Sequence, residues 1–324
     1  IWQPFDDYAR VEKGLPSTFF LIPFKDSPGL APDGTINPVR PVAYHVGDIS
    51  EEDNCGAARG AEMAVHGIDS WHDAARGRAE IAQLESAIQH RPSGVRMHWL
   101  YFSDDSAQHL ETAGFDYDST WGYNDAVGYR AGTSQVFRLP GAERLLELPL
   151  TIMDTALLYR GRMNLSMEQA LRVCRKLLAY ARRLGGTVVI NWHDRSLAPE
   201  RLWGRCYMQI LQDLADTCRP WFATAGQAVT WFRWRRSFRF VSDGGREVRI
   251  ESAAPCPGPP AVVLIYHPRR ASPPAIEELS CDGRTALTIT VSHFSLHLAL
   301  NQRYLSGEIP LTDAAKRCVV HSSA

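Results

Sequence analysis

Short apolar runs and amphipathic segments alternate along the chain as far as about residue 236. Runs of strand type occupy 17–24, 62–67, 94–102, 115–120, 145–153 and 187–192, each dense in β-branched, aromatic or aliphatic residues. Patterns of helical spacing occupy 5–15, 74–89, 167–184 and 200–218, followed by a Trp-rich segment that ends near 236. Repeated β/α units predict a parallel sheet. We expect this α/β sheet to close into a (β/α) barrel, because no Gly-rich phosphate-binding sequence follows any strand.

The pattern changes after Arg236. Short alternating segments separated by turns rich in Gly, Pro and Asp predict a small antiparallel β unit. The last residues are polar and typical of a tail. We therefore predict a barrel over 1–236, a β appendage over 237–300 and a tail over 301–324.

Composition narrows the function classes. The 324 residues are 45% hydrophobic, enough for a sizeable core, and 35 basic residues balance 36 acidic ones. This balance gives no reason to expect a nucleic-acid partner. No apolar stretch approaches the roughly 20 residues of a membrane span. Seven scattered cysteines without a C-x-x-C pair favour free thiols, and we predict a cytoplasmic location.

Two histidines stand at the ends of strand-like runs. His66 lies at the end of the run at 62–67, close to Asp69 and His72. His193 follows the run at 187–192, the most strand-like of the chain. Such positions map to the carboxyl edge of a barrel, where (β/α) barrels place their chemistry. Imidazoles with a nearby carboxylate suit a divalent metal such as zinc, so His66 and His72 are the candidate ligands and Asp69 a candidate catalytic carboxylate. Alternatively, His72 caps the next helix and His66 makes a hydrogen bond inside the barrel.

His193 and Arg96 are the other candidate catalytic residues. An imidazole at position 193 could protonate a leaving group, although a purely structural histidine is also possible. Arg96 and His98 alternate along one run and would share a face. If that face is interior, the guanidinium needs a carboxylate, for which Asp69, Asp118 and Asp154 are candidates.

Several side chains near the predicted strand ends could contact a substrate. Arg130 lies in a Gly-rich loop and could bind substrate oxygens or be solvated. Asp154 ends the run at 145–153. Aromatic faces suit sugar rings, although core packing explains an aromatic equally well. The candidate substrate-binding residues are Arg130, Trp71, Trp99, Asp154 and Trp192.

The order of segments over about 5–235 resembles the polysaccharide deacetylase family, carbohydrate esterase family 4. The sequence STFF at 17–20 resembles the family's ATFF strand, and EMAVHG at 62–67 resembles its E-I-G-x-H metal strand. GVR at 94–96 takes the place of its Arg motif. AGFDYDST at 113–120 resembles A-G-Y-x-Y-D-S-S, and VINWH at 189–193 resembles its closing Leu-x-His motif.

The resemblance implies a distorted (β/α) barrel and metal-dependent hydrolysis of acetyl groups on the amino sugars of a polysaccharide. Carried over by position, His66 matches the first metal histidine, His193 the acid and Arg96 the arginine that orients the base. The implied partner is an acetylated glycan and the implied cofactor a divalent metal, most simply zinc.

The chain departs from the family pattern at two places. Ser70 stands where the family has its second metal histidine, so His72 is the candidate substitute. The family's Asp-Asp strand has no clear equivalent, because Asp6 and Asp7 have the position of helix N-terminal residues. We expect that strand to lie upstream of Ile1, and without its base the fragment would be nearly inactive. The alternatives are a catalytically impaired carbohydrate-binding barrel and an unrelated barrel hydrolase.

Overall fold

A computed structural model describes most of the chain. The described residues are 5–38, 40–48, 61–217, 220–242, 247–252, 255–259, 261–266, 275–279, 285–290, 297–299 and 318–323. The helices are α1 Phe5–Glu12, α2 Ala74–Ile88, α3 Ser106–Ala113, α4 Asp154–Leu158, α5 Met167–Leu184, α6 Gly204–Thr217 and α7 Ala225–Arg236. Short 3₁₀ turns lie at Val46–Asp48, His98–Leu100 and Asp194–Leu197.

Strands alternate with these helices and continue beyond them. They are β1 Thr18–Leu21, β2 Glu62–Gly67, β3 Gly94–Met97, β4 Tyr117–Asp118, β5 Phe137–Arg138, β6 Leu146–Glu147, β7 Leu150–Met153, β8 Thr187–Trp192, β9 Trp221–Ala223, β10 Arg239–Ser242, β11 Glu247–Glu251, β12 Ala261–Tyr266, β13 Ala275–Leu279, β14 Thr285–Thr290, β15 His297–Ala299 and β16 Cys318–Ser323.

The main sheet has the order β5-β6-β4-β3-β2-β1-β16-β8-β7, with β9 beside β16. Every pairing in it is parallel except β5 with β6. The predicted mixed α/β fold with a parallel-sheet core is confirmed. The central strands are buried on both faces, which explains the continuous apolar runs at β2 and β8.

Helix α5 shows how the local sequence defines an element. Ser166 caps its start by accepting the backbone N–H of Gln169 at Oγ, and Gln169 Oε1 accepts the backbone N–H of Ser166, which completes a capping box. The helix ends at Gly185, whose φ of 74° suits glycine. This helix therefore has the bounds that the sequence predicts.

A two-residue connection joins the two ends of the sheet. Strand β6 pairs with β4 near one end of the order, and β7 pairs with β8 at the other. Only Leu148 and Pro149 separate them, so residues 147 and 150 lie within about 11 Å. The sheet must curl strongly to bring its ends together. No ladder joins β6 to β7 among the described strands, so the closed barrel stays a prediction.

The strand β16 was not predicted from the sequence. It lies between β1 and β8, with Ser322 opposite Thr18 on one side and opposite Asn191 on the other. Residues 318–323 of the predicted tail therefore belong to the central sheet. Residues 301–317 lie outside the described residues.

Several predicted strands are shorter in the structure, and two of them differ for a clear physical reason. The run at 94–102 ends as a strand at Met97, because Trp99 and Leu100 take left-handed φ angles of 65° and 56°. The run at 145–153 is divided between β6 and β7, since Pro149 has no N–H for a ladder.

The region after α7 contains two small antiparallel sheets, β10-β11-β14 and β13-β12-β15. This agrees with the predicted antiparallel pairing. The division into domains stays a prediction. Among the described residues, the helices are too short or too polar to cross a bilayer.

Candidate active site

His193 lies at the carboxyl end of β8 and is held by Asp154 from the end of β7. Its ring Nδ1 is 2.6 Å from Asp154 Oδ1, and its backbone N–H donates to Oδ2 at 2.7 Å. Ser196 Oγ also donates to Oδ2. Asp154 is fully buried, whereas the side chain of His193 is 35% exposed. The pair therefore places an accessible imidazole on a buried carboxylate.

Electrostatics within the pair oppose the effect of burial. Burial alone would raise the pKa of Asp154, but the His193 charge and the hydrogen bonds from His193 and Ser196 lower it below its ordinary value. Burial alone would lower the pKa of His193, but the Asp154 charge and hydrogen bond raise it above its ordinary value. The imidazole therefore keeps its proton to higher pH than a free histidine.

His66 occupies the end of β2, as predicted, and is 9% exposed. Its Nδ1 lies 2.8 Å from the carbonyl oxygen of Arg96 on β3. A carbonyl only accepts, so Nδ1 carries the hydrogen and Nε2 keeps an unprotonated lone pair. Burial first, and then the charges of His98, Arg96 and His193, lower the pKa of His66 well below its ordinary value. The ring is neutral and oriented.

His98 packs against His66 with 4.9 Å between ring centroids. Its Nδ1 is buried and has no hydrogen-bond partner among the described residues. Burial, and then the charges of Arg40 and His193, lower its pKa to about 3. His66, His98 and His193 therefore come from three strand ends and influence one another electrostatically.

Arg96, on β3, has a fully buried side chain. Its guanidinium donates to the carbonyl oxygen and Oγ of Ser119, at 2.9 and 2.8 Å, and lies 4.3 Å from the ring centroid of Phe20. Burial lowers its pKa to about 10, while Tyr117, Glu147 and Asp118 oppose that shift. Of the three carboxylates that the sequence suggested for Arg96, Asp118 is the one that interacts with it here.

Asp118 forms a buried acid pair with Glu147. Burial raises the pKa of Asp118 to about 6, and burial together with the Asp118 charge raises the pKa of Glu147 well above its ordinary value. Asp118 Oδ2 and Glu147 Oε2 have no donor among the described residues. Because burial and the Asp118 charge both favour the protonated form of Glu147, we assign one proton to the pair.

Asp69 and His72 contact each other at the loop after β2. His72 Nε2 lies 3.3 Å from Asp69 Oδ1, which also accepts the backbone N–H of Leu30 at 2.9 Å. The His72 ring packs on Trp71 at 4.7 Å, and Asp73, rather than His72, caps α2. The structure thus pairs His72 with Asp69, while His66 faces His98.

The predicted substrate-binding residues divide into buried and accessible ones. Asp154 and Trp192 are fully buried and Trp71 is 6% exposed, so these three do not present a free face. Trp192 stacks on Tyr207 at 5.1 Å. Trp99 and Arg130 remain accessible, and Arg130 donates to the carbonyl of Gly122.

Arg40 fixes a long loop over the ends of β2 and β3. Its guanidinium donates to the carbonyl oxygens of Pro28, Leu30, Ile68 and His98 at 2.9–3.3 Å. This buried cation lies over the ring of a tyrosine at 4.4 Å. Arg40 therefore holds residues 28–30 against the rim that carries the imidazoles.

The fit to a divalent metal is partial. In the described part of the chain, no three side chains of His, Cys, Asp or Glu gather closely enough to hold an ion. Two neighbouring imidazoles nevertheless offer suitable nitrogens, the bare Nε2 of His66 and the unpaired Nδ1 of His98. They amount to two of the three protein ligands that a catalytic zinc site has.

Sequence reasoning missed three partners. The pairing of Asp154 with His193 spans 39 positions, and Ser196 and Tyr8 belong to other elements. Tyr8 Oη donates to the carbonyl oxygen of His193 at 2.6 Å. The polar ends of the runs at 145–153 and 187–192 were the only signal available.

The fold and these strand-end residues define an α/β protein with a curled parallel sheet and a histidine-rich carboxyl edge. Solved structures with this fold include a Mycobacterium smegmatis protein named as a polysaccharide deacetylase, with 20% identity and a TM-score of 0.52, covering 72% of this chain and 77% of that one. The chain therefore resembles the polysaccharide deacetylases in fold, as the sequence predicts.

Two further structures match less closely. A Pseudomonas aeruginosa PAO1 protein named as a polysaccharide deacetylase has 17% identity and a TM-score of 0.49, over 72% of this chain and 73% of its own. An allantoinase has 15% identity and a TM-score of 0.48, over 72% and 76%. Family models and curated proteins give no match.

Proposed function

We propose that this protein is a hydrolase of carbon-nitrogen bonds other than peptide bonds, removing acetyl groups from the amino sugars of a polysaccharide. The observation that carries the proposal is the His193–Asp154 pair at the rim of a sheet that resembles the polysaccharide deacetylases. The deacetylase-type closed barrel is part of the same proposal, supported by the short β6–β7 connection.

His193 has the role of general acid in the proposed reaction. Asp154 holds its Nδ1–H, so Nε2 is the atom that can deliver a proton to the departing amine nitrogen. The raised pKa keeps that proton available near neutral pH. Breaking an amide requires protonation of the nitrogen, because an amine anion is a poor leaving group.

The remaining site residues would position the substrate and the group that polarises its acetyl carbonyl. Arg96 orients His66 through its backbone carbonyl. A divalent metal, with zinc as the candidate, would be held at His66 and would supply polarisation of the acetyl carbonyl and activation of water. Asp69 is the proposed base, and the accessible faces of Trp99 and Arg130 are the proposed substrate contacts.

Acetate release from N-acetylglucosamine oligomers, measured with added zinc, tests the proposal. With Asp69 as the proposed base, we expect release by the unmodified protein rather than the near-inactivity expected for a chain without a base. For His193→Gln we expect a fall of roughly 10² to 10⁴ in rate, the range that a general acid contributes. Equal rates in both proteins would contradict the assignment of His193.

A carbohydrate-binding protein without catalysis is the second candidate. The observation that favours it is the incomplete ligand set among the described residues. Binding of the same oligomers without acetate release, in a protein shown to be folded and zinc-loaded, would select this candidate over the hydrolase.

A further inference from the structure

We infer that His98, rather than His72, is the second imidazole that binds the divalent metal together with His66. The inference rests on the proposed function, because it assigns ligands to the metal of that reaction. Its subject is the side-by-side pair of rings at the ends of β2 and β3.

The separation of the two rings suits a shared ion. A tetrahedral zinc ion holds imidazole nitrogens at about 2.0–2.1 Å, which places the centroids of two bound rings about 5 Å apart. The His66 and His98 centroids are 4.9 Å apart. His72 instead packs on Trp71 and contacts Asp69.

The hydrogen-bonding state of both rings also favours a ligand. The carbonyl of Arg96 fixes the hydrogen of His66 on Nδ1, which is the outer contact that commonly orients a metal-binding histidine. His98 leaves a buried Nδ1 without any partner in the described part of the chain. A buried polar nitrogen left unsatisfied costs free energy, and coordination would satisfy it.

Two positively charged arginines lie close to the pair of rings. The side chain of Arg40 donates to the carbonyl oxygen of His98, and the carbonyl oxygen of Arg96 contacts Nδ1 of His66. The same positive charges oppose a dication. We therefore expect weaker zinc binding than at a site with three protein ligands.

Zinc titration calorimetry on the full chain at pH 7.5 tests the inference. We compare the unmodified protein with His98→Gln, His66→Gln, His72→Gln and, as a matched control, His90→Gln at an exposed position. Losing a ligand should weaken zinc binding beyond the roughly 10- to 100-fold effect of losing an outer partner. We expect this for His98→Gln and His66→Gln, with His72→Gln unchanged like the control.

Ring NMR signals provide a readout that needs no variant. Zinc added to the unmodified protein should shift the ring resonances of His66 and His98 and leave those of His72 unshifted. Absence of zinc binding, or loss of binding in His72→Gln with His98→Gln unaffected, would overturn the inference. Acetate release is scored separately, so a protein that binds zinc through His98 but releases no acetate refutes only the proposed function.

Discussion

The charge of the His193 imidazole depends on one carboxylate. Asp154 accepts hydrogen bonds from the ring and backbone of His193, from Ser196 Oγ and from the backbone N–H of Thr155. Four donors keep this buried group ionised, and an ionised neighbour holds the proton on the ring. We therefore propose that buried Asp154 acts through His193.

Replacing Asp154 by Asn should lower the pKa of His193. The amide removes the negative charge that offsets burial, so the alkaline limb of acetate release should move to lower pH, and the rate at pH 7 should fall by roughly 10² to 10⁴. NMR titration of the His193 ring measures the shift directly. Asp194→Asn is the control, since exposed Asp194 raises the pKa less than Asp154 does. Equal shifts in both variants would contradict the role of Asp154.

Single residues were predictable where a strand pattern ended in a polar group. His66 and His193 lie at strand ends because the preceding residues are apolar and β-branched. The neighbours of these histidines were not predictable in the same way. His98 meets His66 through the parallel pairing of β2 with β3, and a local pattern carries no information on which strands pair.

Strands β3, β4 and β6 are joined by a buried polar layer. Arg96, Asp118 and Glu147 come from these three strands, and each is at most 1% exposed. One shared proton leaves the acid pair with a single negative charge against one guanidinium. The three buried side chains together therefore carry no net charge.

Glu147→Gln should become more stable relative to the unmodified protein as pH rises. The folded pKa of Glu147 lies well above its unfolded value near 4.3, so between the two values the folded state binds the extra proton and stability falls with increasing pH. The limit is about 1.4 kcal/mol per pH unit. The amide replaces the protonated acid and removes this slope.

Urea unfolding between pH 5 and pH 8 measures the effect. Exposed Glu168→Gln on α5 is the matched control and should follow the unmodified protein. A Glu147→Gln curve parallel to that of the unmodified protein would show that Glu147 is already ionised in the folded state.

Gly94 allows β3 to approach β4. A Cβ atom built there would lie 1.9 Å from the ring of Tyr117, whose side chain is fully buried. Gly94→Ala should therefore cost about 1–3 kcal/mol of unfolding free energy through overpacking. At Gly47 an added Cβ meets no atom of the described residues within 4 Å, so Gly47→Ala is the control. Similar losses in the two variants would rule out this explanation.

Helices and strands were predictable where capping residues and hydrophobic periodicity indicated the same bounds. They were less predictable where strand pairing divides one continuous apolar run into two strands. Helix α5 has both a capping box and a terminal glycine, and its bounds match. The run at 145–153 reads as one strand, yet its two halves pair with strands at opposite ends of the sheet. That division depends on the curvature of the whole sheet.

At the scale of the molecule, β16 connects the two halves of the central sheet. It pairs in parallel with β1, β8 and β9, so it separates the strand bearing Phe20 from the strand that leads to His193. The sequence did not predict this strand, because six residues within a polar tail carry too weak a pattern. Its contribution to the unfolding free energy is testable by removing its backbone hydrogen bonds.

Deletion of residues 318–324 should lower the unfolding free energy by several kcal/mol. Each backbone hydrogen bond contributes about 0.5–1.5 kcal/mol, and the deletion also leaves unpaired edges at β1 and β8 that promote aggregation. Thermal unfolding and size-exclusion chromatography measure both effects. Val320→Pro, which removes one ladder N–H, should act in the same direction but less. Unchanged melting in both proteins would show that this strand does not hold the sheet together.

The connection at Leu148 and Pro149 has a consequence for dividing the chain. A split-protein reporter cut between these residues would leave β6 in one fragment and β7 in the other. We call the place where these two ends of the sheet meet the seam. Neither fragment could establish the strand order at the seam alone. Reassembly would require both fragments to dock in one step. A cut in the exposed turn around Gly161, between α4 and α5, leaves the seam within a single fragment, so reconstitution should tolerate it better.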